Sequence, residues 1–247
     1  MRYEVLGPLR VVDDRGISSI TARKIEVLLA VLLIRADQLV SADRLAGEIW
    51  EENAPRRATA GLHVYISQLR KFLSRPERPH GPIVTRPPGY ELRLDGDRID
   101  AEEFLSLAKA GRQYAQAGEY EPAAECFERA LALCRGPTLG HLQGGHIIEG
   151  YVARLSEERL ECVELMLDAR LALGRHREVI GQLYSLTADH PLREPFYRQL
   201  MLALYRSGRQ ADALGVYQMA RRMLNRELGL EPCRPLQDLQ YAILTGR

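Results

Sequence analysis

The side chains best placed for chemistry with another molecule lie in residues 57–73. On a helical wheel centred on Leu62, the side opposite the apolar stripe carries Arg57, Ala60, Val64, Ser67, Gln68 and Lys71. Small side chains occupy the middle of that side and cations its two ends. Contact with DNA needs this pattern: short or amide-bearing groups that reach base edges in the major groove, and cations over the flanking phosphates. Gln68 can pair bidentately with adenine, Val64 can touch a thymine methyl, and Ser67 suits a base edge or a phosphate. Arg56, Arg57, Arg70 and Lys71 are suited to clamp phosphates. Tyr65, on the flank, either packs or donates a hydrogen bond to a phosphate. Gly61 is unusual, because glycine inside a helix costs about 1 kcal/mol relative to alanine; it either permits close approach of a backbone or is tolerated. Thr85 and Arg86 follow on a hairpin, with Arg86 expected at its tip. An ordinary solvated helix face is the competing reading of residues 57–71, and the hairpin that follows favours DNA over it.

Charge supports the same reading once it is resolved along the chain. The formal net charge is only +1, but residues 56–86 carry seven cations against Glu77 alone, a local charge of +6. A segment of that sign attracts a polyanion. Enzyme chemistry finds no foothold: there is no G-x-S-x-G, no P-loop, no H-E-x-x-H and no G-x-G-x-x-G opening a helix. His141 and His146 flank Gly144-Gly145 without a nearby carboxylate or thiolate pair, so a loop role is expected rather than a metal site. Glu157, Glu158 and Glu161 read as a solvated helix face. Cys126, Cys134, Cys162 and Cys233 form no C-x-x-C pair and read as buried thiols, with neither a disulfide framework nor zinc implied. No cofactor is expected. No apolar run reaches the roughly 20 residues of a membrane span, residues 27–34 coming nearest, and the N-terminus lacks the apolar core of a signal peptide. A cytoplasmic protein without membrane contact is expected.

The elements that must position these residues follow from periodicity. Residues 3–12 read as two short strands broken at Gly7-Pro8, and the turn cluster at 13–16 precedes a short stretch at 18–20. Residues 22–36 form a first helix burying Ile25, Leu28, Leu29, Leu32 and Leu33, with Thr21 available as its N-cap. A second helix, capped by Ser41, spans 41–50 and buries Leu45, Ile49 and Trp50. After Pro55 a third helix runs from 57 to about 73 on the core positions Leu62, Ile66, Leu69 and Leu73, and Pro76, Pro79 and Pro82 end it. Residues 83–94 form a hairpin joined through Pro87-Pro88-Gly89, in which Gly89 can take positive φ. Strands, three helices and a hairpin make a winged helix-turn-helix with a leading sheet. Beyond residues 95–97 the pattern changes to long helices over 100–117, 121–134, 147–173, 176–189, 194–207, 210–227 and 235–244. Leu173-Gly174-Arg175-His176 and Ser207-Gly208-Arg209-Gln210 recur 34 residues apart, the period of a tetratricopeptide helix pair. The fold class is therefore mainly α: a winged-helix domain over 1–95, then an all-α tetratricopeptide-like domain over 98–247.

These segments carry a family resemblance. Leu62-His-Val-Tyr-Ile-Ser-Gln-Leu-Arg-Lys-Phe-Leu73, followed by Val84-Thr-Arg-Pro-Pro-Gly-Tyr90, resembles the recognition helix and wing of OmpR-type DNA-binding domains. His190-Pro-Leu-Arg-Glu-Pro195, Leu202-Ala-Leu-Tyr-Arg-Ser-Gly-Arg-Gln210 and Glu227-Leu-Gly-Leu-Glu-Pro232 resemble the bacterial transcriptional activator domain. Their order over nearly the whole chain resembles the small Streptomyces antibiotic regulatory proteins. The resemblance implies a transcription activator of secondary-metabolite genes that binds direct repeats near the −35 region as two protomers side by side and contacts RNA polymerase and its principal sigma factor. By position it implies DNA-facing roles for Val64, Ser67, Gln68, Arg70 and Arg86. Ser67-Gln68 stand where response regulators often carry a basic pair, and neither a receiver nor a nucleotide-binding module accompanies the motifs, so phosphorylation control and ATP dependence are not expected. The alternative from a different class is a helical-repeat interaction scaffold without DNA binding, for which a +6 segment has no use.

Overall fold

The structure, a computed structural model, describes residues 1–51, 55, 57–76, 78 and 81–246. The chain runs β1 (Arg2–Glu4), β2 (Arg10–Asp13), β3 (Gly16–Ser18), α1 (Arg23–Ile34), β4 (Val40–Ser41), α2 (Ala42–Trp50), α3 (Ala58–Leu73), β5 (Ile83–Arg86), β6 (Gly89–Leu92) and β7 (Arg98–Ile99). The helices α4 (Asp100–Gln116), α5 (Tyr120–Ala132), α6 (His146–Ala172), α7 (His176–Asp189), α8 (Glu194–Arg206), α9 (Gln210–Leu228) and α10 (Arg234–Thr245) follow. The winged helix-turn-helix and the helical repeats are both present, and every predicted long helix is found within about two residues of its expected ends.

Two small sheets frame the first three helices. One has the order β3-β2-β1-β7 and the other β4-β6-β5. In the first, β1 pairs antiparallel with β2 and parallel with β7, Tyr3 lying opposite both Val11 and Ile99. In the second, the hairpin of β5 and β6 sets Val84 opposite Glu91 and Arg86 opposite Gly89, and β6 also pairs with β4. α1 is buried on all sides over Val27–Leu33, as an all-apolar helix must be. Leu45 and Ile49 of α2 and Leu62, Ile66, Leu69 and Leu73 of α3 complete this core, with Trp50 only 8 % exposed.

Three local expectations are corrected. Thr21 does not cap α1: the helix starts one residue later than the sequence suggests, so Ala22 occupies the cap position and no side chain bonds the first turn. Ser41 does cap α2, accepting the Arg44 N–H at 3.3 Å. Gly89 does not take positive φ. Its need for glycine is lateral: it lies on β6 opposite Ser41, and a Cβ there would stand 1.9 Å from the Val40 carbonyl oxygen. The peptide between Pro87 and Pro88 is cis. Of the cysteines, Cys162 is buried, Cys126 and Cys134 are half-buried and Cys233 is exposed, so the expectation of buried thiols holds for one.

The chain divides into two compact units. The first comprises residues 1–106 and 130–160, the second 107–129 and 161–247. The first is thus larger than the 1–95 read from the sequence. Asp100, 2 % exposed at the start of α4, accepts the N–H groups of Val5 at 2.7 Å and Leu6 at 3.2 Å. The returning chain adds two more main-chain bonds to the same stretch, from Arg135 N–H to Leu6 at 2.7 Å and from Leu139 N–H to Val5 at 2.8 Å. In the second unit, α8 packs on both α7 and α9. Gly118, Gly174 and Gly208 sit at φ +79°, +81° and +80°, and the next N–H bonds back five residues in each case, Glu119 to Tyr114, Arg175 to Arg170 and Arg209 to Leu204. This is a left-handed glycine cap repeated three times. The sequence repeat shows two of the three.

Candidate nucleic-acid interface

Burying Leu62, Ile66 and Leu69 fixes the rotation of α3. Its other side is left to solvent: Ala60, Val64, Ser67, Gln68 and Lys71 are all exposed. Val64 is 52 % exposed although it is β-branched and apolar, so the core does not account for it. None of the Ser67, Gln68 and Lys71 side chains bonds another described residue. They form an uncommitted face along the helix, as a helix entering a groove presents to base edges and phosphates.

The flank of α3 is committed to its own domain. Gly61 faces the indole of Trp50, where a Cβ would stand 3.2 Å from the ring. Tyr65 stacks on the same indole at 5.8 Å between centroids and 28° between planes. Lys24 places its ammonium 5.5 Å from the Trp50 ring centroid. Of the two readings left open for Tyr65, its contact here is packing. The glycine makes room for a tryptophan that ties α2 to α3.

The charged residues separate into two groups. Arg57, at the N-cap of α3, and Lys71 are exposed and free of ion pairs with described residues. Arg70 is half-buried: its Nε donates to the Ile83 carbonyl at 3.1 Å and its Nη2 to Thr85 Oγ1 at 2.7 Å, tying α3 to β5. Arg86, at the end of β5, pairs with Glu91 Oε2 at 2.9 Å, and Arg93 holds the other oxygen of that carboxylate at 3.1 Å. Arg75 pairs with Asp13, and Arg78 pairs with Asp95 and lies 3.8 Å from Asp97. The +6 of residues 56–86 is therefore partly neutralised within the fold. Arg56 lies outside the described residues.

Sequence reasoning missed Glu91 and Lys24. A glutamate on a fully buried strand is a warning that cations stand near it, and Arg86 and Arg93 are close enough in sequence to be suspected. No comparable signal marks Lys24, whose ring partner is 26 residues away.

The family described as "Bacterial transcriptional activator domain" matches residues 99–244, and that described as "Transcriptional regulatory protein, C terminal" matches residues 19–92. The chain is 40% identical over 245 residues to the regulatory protein AfsR of Streptomyces coelicolor, covering 99% of this chain and 24% of AfsR. It is 37% identical over 252 residues to the regulatory protein DnrI of Streptomyces peucetius, covering 99% of this chain and 92% of DnrI. Among solved structures, Mycobacterium tuberculosis EmbR in complex with a low affinity phosphopeptide superposes with a TM-score of 0.93 at 34% identity, covering all of this chain and 65% of that one. The chain thus spans about a quarter of AfsR and under two thirds of EmbR.

Proposed function

Because the chain belongs to the Streptomyces antibiotic regulatory protein family, which joins an OmpR-type DNA-binding domain to a bacterial transcriptional activator domain, we propose that it is a sequence-specific DNA-binding transcription activator. The carrying observation is the uncommitted row Val64, Ser67, Gln68 and Lys71 on α3, set opposite buried Leu62, Ile66 and Leu69. Val64 and Gln68 read base edges, Ser67 reads an edge or a phosphate, and Lys71 and Arg57, with Arg56 before it, hold phosphates. Ala60 lets the helix approach the groove closely. Gly61, Tyr65, Arg70 and Thr85 serve DNA indirectly by fixing α3 against Trp50 and the wing. Arg86 reaches the minor groove from the wing, where groove width rather than base identity is read.

One recognition helix contacts too few base pairs to select a promoter among many competing sites. The protein therefore acts as two protomers, head to tail on direct repeats about one helical turn apart near the −35 region. There the helical domain engages RNA polymerase and its principal sigma factor at genes for secondary metabolism, in the cytoplasm. Footprinting upstream of neighbouring genes tests this, followed by insertion of half a turn between the repeats. Protection of two adjacent repeats and loss of cooperative binding after the insertion are expected. Unchanged affinity after the insertion defeats the arrangement, and no protected site at all defeats the function.

A further inference from the structure

A cleft of about 940 Å³ opens among the C-terminal end of α1, α2 and the first turns of α6. Every residue lining it belongs to the first compact unit. Its cations are Arg35, Arg44 and Arg154, none of which forms an ion pair with a described residue. Three glutamates also line it, Glu48, Glu51 and Glu149, and none of them pairs with these arginines. Glu48, 7 % exposed, turns its Oε1 onto the Ile147 N–H at 3.0 Å, at the positive end of α6. Glu149 lies 3.5 Å from His146. The three carboxylates match the three guanidinium groups in formal charge, but none of them pairs with one, so the guanidinium N–H groups stay open to an acid group.

The walls suit a molecule with an apolar body. Ile34, Ile147 and Tyr151 supply apolar surface, and a Cβ added at Gly47 or Gly150 would meet nothing within 4 Å. Burial pushes the Tyr151 phenol up to about 12, so this wall adds no negative charge near neutral pH. The Arg154 guanidinium stands over the Tyr151 ring at 5.5 Å, which orients the cation without neutralising it. The volume is that of a small-molecule site.

We propose that this cleft binds a small organic anion, its acid group held by Arg35, Arg44 and Arg154 and its apolar body against Ile34, Ile147 and Tyr151. The inference does not depend on DNA binding, since the occupant is sought without DNA. Titration of the full chain with anilinonaphthalene sulfonate, followed by fluorescence, should show one saturable site. The uncharged analogue phenylnaphthylamine should bind about tenfold more weakly, the difference one charge-assisted contact makes. Arg154→Gln, which removes a cation, and Gly150→Leu, which fills open space without touching the core, should each lower the sulfonate's affinity about tenfold. Gly150→Leu carries the test should the arginine variant fold poorly. Absence of a saturable site in the parent, or parental affinity in both variants, overturns the proposal. So does equal binding of the uncharged analogue. Affinity of both variants for duplex DNA should match the parent's, and a parallel tenfold fall would make the cleft a phosphate contact instead. If the parent binds no duplex, the proposed function fails while the titration with the sulfonate stands.

Discussion

Gln68 and Lys71 sit a turn apart on one exposed side of α3, yet removing them should have effects of different kinds. Gln68→Ala is expected to relax preference at one or two base positions, costing about 1–3 kcal/mol on the cognate site and little on random DNA. Lys71→Ala should weaken both alike and flatten the salt dependence by about one unit of slope. Affinities on cognate and scrambled duplexes at several salt concentrations separate the two, and an equal loss on both duplexes from Gln68→Ala would place the reading face elsewhere. Arg70 presents a third case, because its guanidinium is held by the Ile83 carbonyl and the Thr85 hydroxyl. Arg70→Ala should lower affinity by loosening the wing while leaving the salt slope nearly unchanged. A slope that flattens as it does for Lys71→Ala would show that Arg70 leaves its partners for a phosphate. The outward row was legible in the sequence because it needs only the helical period and the apolar stripe. The pairing of Arg70 and Arg75 was not, since their partners come from other elements and charge counting treats every cation as free; that of Arg86 with Glu91, five residues on in the same hairpin, could have been suspected.

At the scale of elements, the helix-turn-helix depends on how α2 and α3 meet, and there the contact is Trp50 against Gly61 and Tyr65. Glycine at that place is explained by a close approach within the domain. Alanine would gain helix propensity of up to about 1 kcal/mol and would need only a few tenths of an ångström from the ring, so Gly61→Ala should be nearly neutral. Gly61→Leu cannot be accommodated without moving the indole. It should destabilise the domain by about 1–3 kcal/mol and disturb duplex binding, because α3 is displaced. Trp50 is the chain's single tryptophan, so its fluorescence reports the displacement directly. Unchanged emission and stability in Gly61→Leu would mean that the two helices are not held at this point. Helices were legible here because their apolar periods are long. The backbone of Gly89 and the two-residue strand β7 were not, because each is settled by a neighbour distant in sequence: Gly89 is pressed by Val40, and Arg98–Ile99 becomes a strand only beside β1.

For the whole molecule, composition and turn residues place the change from winged helix to helical repeats near residues 95–97, and the 34-residue recurrence identifies the repeats. They do not reveal that the N-terminal sheet is finished by residues beyond that point. β7 adds a parallel strand beside β1, and the Asp100 carboxylate, 2 % exposed, takes the N–H groups of Val5 and Leu6. A fragment ending at residue 95 lacks both, while α1, α2, α3 and the hairpin, with their buried leucines, are retained. Such a fragment should fold and bind duplex DNA, but less stably than one ending at residue 106. The missing charge-assisted bonds are worth about 1–3 kcal/mol in total once water replaces part of them. For a domain of this size that corresponds to a melting temperature lower by about 5–15 °C. Asp100→Ala in the longer fragment should reproduce most of the difference, which separates the carboxylate from the strand. Neither fragment should activate transcription, since both lack the helical repeats assigned to the polymerase. Thermal unfolding followed by circular dichroism, together with duplex binding and a reporter assay, tests the set. Equal melting temperatures for the two fragments would make the strand and Asp100 incidental to the DNA-binding unit. Activation by the shorter fragment at the full chain's level would remove the role proposed for the repeats.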